Sequence, residues 1–175
     1  MFRQHRWRRR GQALCLIMKT TTISLLIIFM VVLDQISKIL ISSYLSLGES
    51  INLIPFLNFT LIHNTGIAFS FFDNGGLISR WLLVMIVSGI LAYLLFLMYK
   101  KMPKHRLELM ALIFIVSGGL GNLVDRVFLG YVVDFIHVFY KDYSFYVFNM
   151  ADSYITVGII LYFSYFLFIE RAKEA

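Results

Sequence analysis

Four long apolar stretches organise this chain of 175 residues. Residues 22–41 are apolar except for Asp34 and Lys38, while residues 81–99, 109–124 and 153–169 carry no charge. A spanning helix needs about 20 predominantly apolar residues, so the last two stretches require a few flanking positions each. That extension carries Asp125 and Asp152 to membrane ends. Between the first two stretches the pattern changes. Residues 51–63 are rich in Ile, Leu, Phe and Thr, with polar residues at Asn52, Asn58 and Thr60, which predicts short strands with Pro55 at an edge or a bend. Asn64-Thr65-Gly66 reads as a turn, and residues 67–72 form another apolar run, so a small sheet on the outer membrane surface is expected. Residues 128–148 are crowded with Phe and Tyr, among them Phe128, Tyr131, Phe139 and Tyr146, and predict a loop riding in the headgroup region. The expected fold class is an α-helical polytopic membrane protein: four transmembrane helices, a small outward sheet and an interfacial aromatic loop.

Composition agrees. The chain is 59% hydrophobic and 15% charged, against roughly half and a quarter in soluble domains. It divides into a basic cytoplasmic segment (1–21), a single four-helix domain (22–170) and a short cytoplasmic tail (171–175), with no length left for a separate soluble domain. Basic residues collect at the amino end (Arg3, Arg6, Arg8, Arg9, Arg10, Lys19), in the second–third connection (Lys100, Lys101, Lys104, Arg106) and at the carboxyl end (Arg171, Lys173). By the positive-inside rule both termini are then cytoplasmic and the two longer connections face outward. Asp34, Glu49, Asp73, Asp125, Asp134, Asp142 and Asp152 consequently gather at the outer face. The net charge of +6 follows from orientation and anionic headgroups and calls for no nucleic-acid partner. The single Cys15 excludes an internal disulfide and a cysteine-based metal site, and Leu14 spoils it as an acylation signal. Residues 1–17 read equally as part of the working protein or as a stretch ahead of a start at Met18. Asp34 and Lys38 interrupt the apolar core that follows, which favours a retained first helix over a cleaved signal peptide.

A carboxylate near hydrocarbon costs roughly 2.5–3.5 kcal/mol even on lenient insertion scales, so an acid there is a candidate for chemistry. Asp34 and Lys38, four residues apart, share one helix face and read either as a mutual ion pair or as a polar anchor of the site. Gly118-Gly119-Leu120-Gly121-Asn122 lies inside an apolar span, where small residues such as Ser117 and Gly121 serve close helix packing, not phosphate binding. At the outer end of the third helix, an Asp125–Arg126 pair fixing the helix end is the favoured role for Asp125. Asn122, one turn earlier, is placed to donate to a neighbouring carboxylate or a substrate backbone. Asp134, flanked by Val132, Val133, Phe135 and Ile136, and Asp152, at the start of the fourth helix, are the best working pair. Two carboxyls in one poorly solvated site share a proton, a state suited to peptide hydrolysis. His105 falls on the cytoplasmic side, His63 and His137 have no partner at ligand spacing, and neither a metal nor another cofactor is expected. A proton-coupled carrier is the rival reading, because intramembrane acids also serve as proton relays. A metal-dependent lipid hydrolase is a second rival.

Five ordered motifs carry a resemblance: Asp34-Gln35-Ile36-Ser37-Lys38, His63-Asn64-Thr65-Gly66-Ile67-Ala68-Phe69-Ser70, Gly121-Asn122-Leu123-Val124-Asp125-Arg126, Val132-Val133-Asp134-Phe135-Ile136 and Phe148-Asn149-Met150-Ala151-Asp152-Ser153. In these the chain resembles bacterial lipoprotein signal peptidase (signal peptidase II). The resemblance implies a four-helix inner-membrane aspartic endopeptidase with a small periplasmic β-sheet cradle. It would act as a monomer among membrane lipids on diacylglyceryl-modified prolipoproteins, cutting just before the lipidated cysteine. It further implies Asp134 and Asp152 as the catalytic pair, with Asp34, Lys38, Asn64, Asn122, Asp125, Arg126, Asn149 and Ala151 shaping or supporting the site. His63 departs from the more usual Arg or Tyr, and Ile67 from the usual Ala, which bears on substrate preference only.

Overall fold

The computed structural model describes residues 2–66, 77–101, 103, 105–141 and 143–170. The apolar run expected at 67–72, Asp73, Asp142 and the tail 171–175 lie outside the described residues. Helix α1 runs Phe2–Tyr44, α2 Leu77–Lys101, α3 Arg106–Phe128 and α4 Met150–Tyr165, the last continued by a π-helical turn, Phe166–Glu170. Each contains a stretch long and apolar enough to cross a membrane: Thr20–Tyr44, Leu77–Lys100, Arg106–Phe128 and Met150–Ile169. The four expected spans are therefore present, each a few residues longer than its apolar core.

Helix α3 is central and packs on α1, α2 and α4. Its contact with α4 is backbone-close. A Cβ on Gly118 would overlap the Ala151 carbonyl, and one on Gly158 would lie 2.7 Å from Ile115 Cγ1 and 2.8 Å from the Ala111 carbonyl oxygen. Small residues give this closeness, since lipid supplies no hydrophobic drive between helices. Ile23, Ile27, Met98, Leu112, Ile113 and Val116 pack together between α1, α2 and α3, while Leu25, Phe29, Ile86 and Ile90 project from the bundle as a sheath for hydrocarbon.

Both connections at the other end contribute to one antiparallel sheet of order β1-β2-β3-β4. Strands β1 (Ser50–Ile54) and β2 (Leu57–Asn64) form a hairpin that turns at Pro55, so proline marks a bend. Strand β3 (Val132–Tyr140) pairs with β2 and with the short β4 (Tyr143–Ser144). Residues 132–140, expected as part of an aromatic loop, thus supply an inner strand. The bulky aromatics that suit an interface also suit a pleated, half-buried surface. Beyond it Tyr140, Tyr143, Phe145 and Tyr146 remain exposed, as the interfacial reading requires. Register slips between Phe59 and Ile62 leave Ile62 opposite Asp134 and Asn64 opposite Val132. That bulge brings the Asn64 side chain onto Asp134.

Adding one methyl at Gly158 should cost about 1–3 kcal/mol of stability, because the facing backbone cannot yield. Gly89, with nothing within 4 Å of its position for a Cβ, should accept alanine almost silently. Thermal unfolding of Gly158→Ala and Gly89→Ala in detergent measures the difference.

Candidate active site

The polar centre begins with one lysine. Lys38, on α1, is buried, and its ammonium donates at 2.8 Å to Asp34 Oδ2, 3.0 Å to Asp125 Oδ2 and 3.1 Å to Asn122 Oδ1. All three N–H donors of an ammonium are then used. Asp34 is both an ion-pair partner and an anchor: its other oxygen accepts the Ala151 amide at 2.9 Å, tying α1 to the first turn of α4. Gly121 must be glycine beside it, because a Cβ would sit 2.6 Å from Asp34 Oδ2.

Asp125 corrects the expected Asp125–Arg126 pair. Its carboxylate is paired with Lys38, accepts Gln35 Nε2 at 2.8 Å and accepts the Val133 amide at 3.0 Å. Consecutive helix positions point about 100° apart, so Asp125 faces α1 while Arg126 cannot follow it. Arg126 instead reaches the Asn122 carbonyl at a long 3.4 Å, and its Nε is buried without a partner among the described residues. Gln35 was missed from sequence. Its amide meets Asp34 Oδ2 at 3.2 Å, Asp125 Oδ1 at 2.8 Å and the Gly121 carbonyl at 3.1 Å. An amide one residue after an intramembrane acid was the available signal.

Asn149 organises the remainder. It caps α4 by accepting the Asp152 amide at 2.9 Å, while its own amide donates to Asp152 Oδ2 at 3.2 Å, a reciprocal capping box. Its side-chain nitrogen donates to Asp134 Oδ1 at 2.6 Å. Asn122 accepts from Lys38 and, at 3.1 Å, from Asn149, so its NH2 points to Asp152 Oδ1 at 2.7 Å. Asn64 completes the ring from β2, donating to Asp134 Oδ2 at 2.9 Å. Asp134 and Asp152 therefore share one bridging residue, and Asn64, Asn122, Asn149, Asp34, Lys38, Asp125 and Ala151 all join the same network. Burial is the chief reason the Asp134 carboxyl is pushed up to about 6. The negative charge of Asp152 adds to that, while bonds from Asn64 and Asn149 and the charge of Lys38 oppose it.

The histidines are dispersed. His63 stacks on Tyr131 with ring centroids 3.8 Å apart, His137 bonds Ser144 at 2.6 Å, and His105 caps α3 beside Tyr165 at the far end of the bundle. Among the described residues no group of three or more His, Cys, Asp or Glu is placed to hold a metal ion. A cavity of about 570 Å³ beside the network is lined by Gln35, Lys38, Asp125, His63, Tyr131 and Val133, among others. Val133 lines it and its neighbour Asp134 does not, so it reaches the support and not the pair.

Four membrane-length helices, closed at one end by a sheet over a ring of buried and half-buried acids and amides, define a multi-pass membrane protein with a polar site at one end of the bundle. Comparison with known proteins gives the family. The family model for signal peptidase (SPase) II matches residues 26–168, and the chain belongs to that family. The lipoprotein signal peptidase of Acinetobacter baumannii is 42% identical over 144 residues, 82% of this chain and 81% of that one. That of Teredinibacter turnerae is 44% identical over 135 residues, 77% of this chain and 80% of its own. A solved structure of a bacterial membrane enzyme, at 1.9 Å resolution, matches with TM-score 0.76 and 33% identity, covering 85% of this chain and 94% of that chain.

Removing the lysine isolates two buried acids. Lys38→Met should destabilise the protein by about 3–5 kcal/mol, the usual cost of breaking a buried pair from one side. Melting in detergent tests this; an unchanged curve would mean that the acids can manage without the cation.

Proposed function

We propose that Asp134 and Asp152 are the catalytic pair of a membrane aspartic peptidase that cleaves signal peptides from lipoprotein precursors. Membership of the signal peptidase II family supports the reaction. The observation that carries the residue assignment is the sharing of Asn149 by both carboxyls, one of them buried and holding its proton up to about pH 6. The carrier reading has no comparable support, since the acids collect at one end of the bundle instead of crossing it.

In this reading the pair holds one proton. The ionised carboxylate takes a proton from water as the water oxygen bonds to the scissile carbonyl carbon. The protonated partner gives its proton to the carbonyl oxygen, which yields a neutral tetrahedral diol. Collapse breaks the C–N bond, restores a carboxyl group on the signal peptide and protonates the leaving nitrogen, the new amino terminus. The proton belongs to the pair and not to either residue. Neighbouring charge matters to this state: Lys38 and Arg126 stand against Asp34, Asp125, Asp134 and Asp152.

The substrates proposed are prolipoproteins already carrying diacylglycerol, cut at the outer face of the inner membrane with both termini of the enzyme cytoplasmic. A lipid anchor holds such a chain at headgroup level, where the exposed aromatics of the β3–β4 hairpin also favour residence. No cofactor is required by this chemistry, so chelation should leave the rate unchanged and would separate it from a metal-dependent hydrolase.

Two outcomes are expected with purified protein and a diacylglyceryl-modified precursor, beside an unlipidated control. Asp134→Asn and Asp152→Asn should each abolish cleavage while membrane insertion persists; substantial activity in either removes that residue from the chemistry. The pH profile gives the second. A raised carboxyl pKa means that the shared proton is held below about pH 6 and lost as pH rises through it. The alkaline limb of kcat/KM should therefore lie near pH 6, and that of kcat higher, because bound substrate desolvates the pair further. A flat profile from acid to alkaline pH would contradict a shared proton.

A further inference from the structure

Arg80 stands in the first turn of α2, at the sheet end of a span with no other charge before Lys100. The positive-inside rule gives no reason for a cation there. Its guanidinium is spent on α3. Nε donates to the Arg126 carbonyl at 2.8 Å and Nη2 to the Val127 carbonyl at 2.6 Å. The last carbonyls of a helix have no intrahelical donor and carry the negative end of its dipole. Here the Leu129 and Gly130 amides both turn back to the Asp125 carbonyl, at 2.7 and 3.2 Å, so the next two carbonyls are left to Arg80. The guanidinium lies over Gly130, which has φ +90 and where a Cβ would come within 3.0 Å of Nη1. It also sits 5.3 Å from the centre of the Trp81 ring.

The turn so held is the one that leads from α3 into β3, four residues ahead of Asp134. It is pinned twice: from within by the Asp125 carboxylate on the Val133 amide, and from without by Arg80 on the helix end. We propose that Arg80 is a positioning residue for the reaction: its fork fixes the α3–β3 corner, and with it the place of Asp134 relative to Asp152, without touching substrate. The inference rests on the assignment of those two acids as the catalytic pair.

The test uses full-length protein, wild type beside Arg80→Lys, Arg80→Ala and Asp134→Asn, on the diacylglyceryl-modified precursor. Lysine keeps the charge but offers a point donor in place of a planar fork. A corner displaced by a fraction of an ångström should lower kcat of Arg80→Ala roughly ten- to hundredfold, since misplacements of that order cost reactivity. KM should stay within about twofold, because substrate binding is not what the fork serves. Arg80→Lys should fall between, and in both variants the alkaline limb of kcat/KM should move to lower pH as Asp134 becomes less confined. If Arg80→Ala does not fold, Arg80→Lys decides alone, read by kcat and the pH limb at a melting temperature near wild type. Wild-type kcat in every folded variant overturns the inference, as does a lowered melting temperature with unchanged kcat and pH profile. An effect confined to KM overturns it too, by making Arg80 a substrate contact. An active Asp134→Asn sinks the catalytic pair itself. An inactive Asp134→Asn beside fully active Arg80 variants sinks only this inference.

Discussion

A single ammonium group, removed from water and held by two carboxylates and an amide, is the constraint around which the polar half of the molecule is built. Burying Lys38 without partners would be costly, and so would burying Asp34 or Asp125. Together they oblige α1 and α3 to meet at one level, and Asp34 then fixes the start of α4 through the Ala151 amide. Asn122 and Asn149 pass that registration on to Asp152 and Asp134. The cluster holds the helices in the alignment in which all three donors of Lys38 find acceptors.

Asp134 and Asp152 are fixed by two kinds of local structure. Asp152 is part of a helix cap, and so is specified by sequence-near partners. Asp134 is on a strand, and its position depends on pairing between connections far apart in the chain. The bulge in β2 reconciles the two, since it brings the Asn64 side chain onto the Asp134 carboxylate. Amides suit this work because they satisfy carboxylate lone pairs without adding charge, and at Asp134 their hydrogen bonds oppose the rise that burial causes.

Much of this was legible in the sequence because hydrocarbon leaves polar residues nowhere to hide. Four apolar runs read as four helices, and the acids within or beside them marked the site. The partners of Asp125 were not legible, since adjacency in sequence suggested Arg126 while helix geometry turned the side chain toward Lys38. Strand β3 was read as loop because aromatic density fits an interface and a sheet equally well, and only pairing with β2 separates them. Gln35 and Arg80 escaped notice for one reason. Each serves backbone carbonyls or a neighbour's leftover valence, and such needs exist only once helix ends have been placed in space.

The capping box has a consequence for the start of α4. One oxygen of Asp152 serves as the acceptor that completes the start of α4, next to the positive end of that helix's dipole. A side chain at position 152 unable to accept there would leave the Asn149 backbone amide without its partner and loosen the first turn of α4. The same side chain closes a helix end and meets Asn122 across the bundle, so any change at position 152 is felt by the backbone as well as by the polar ring.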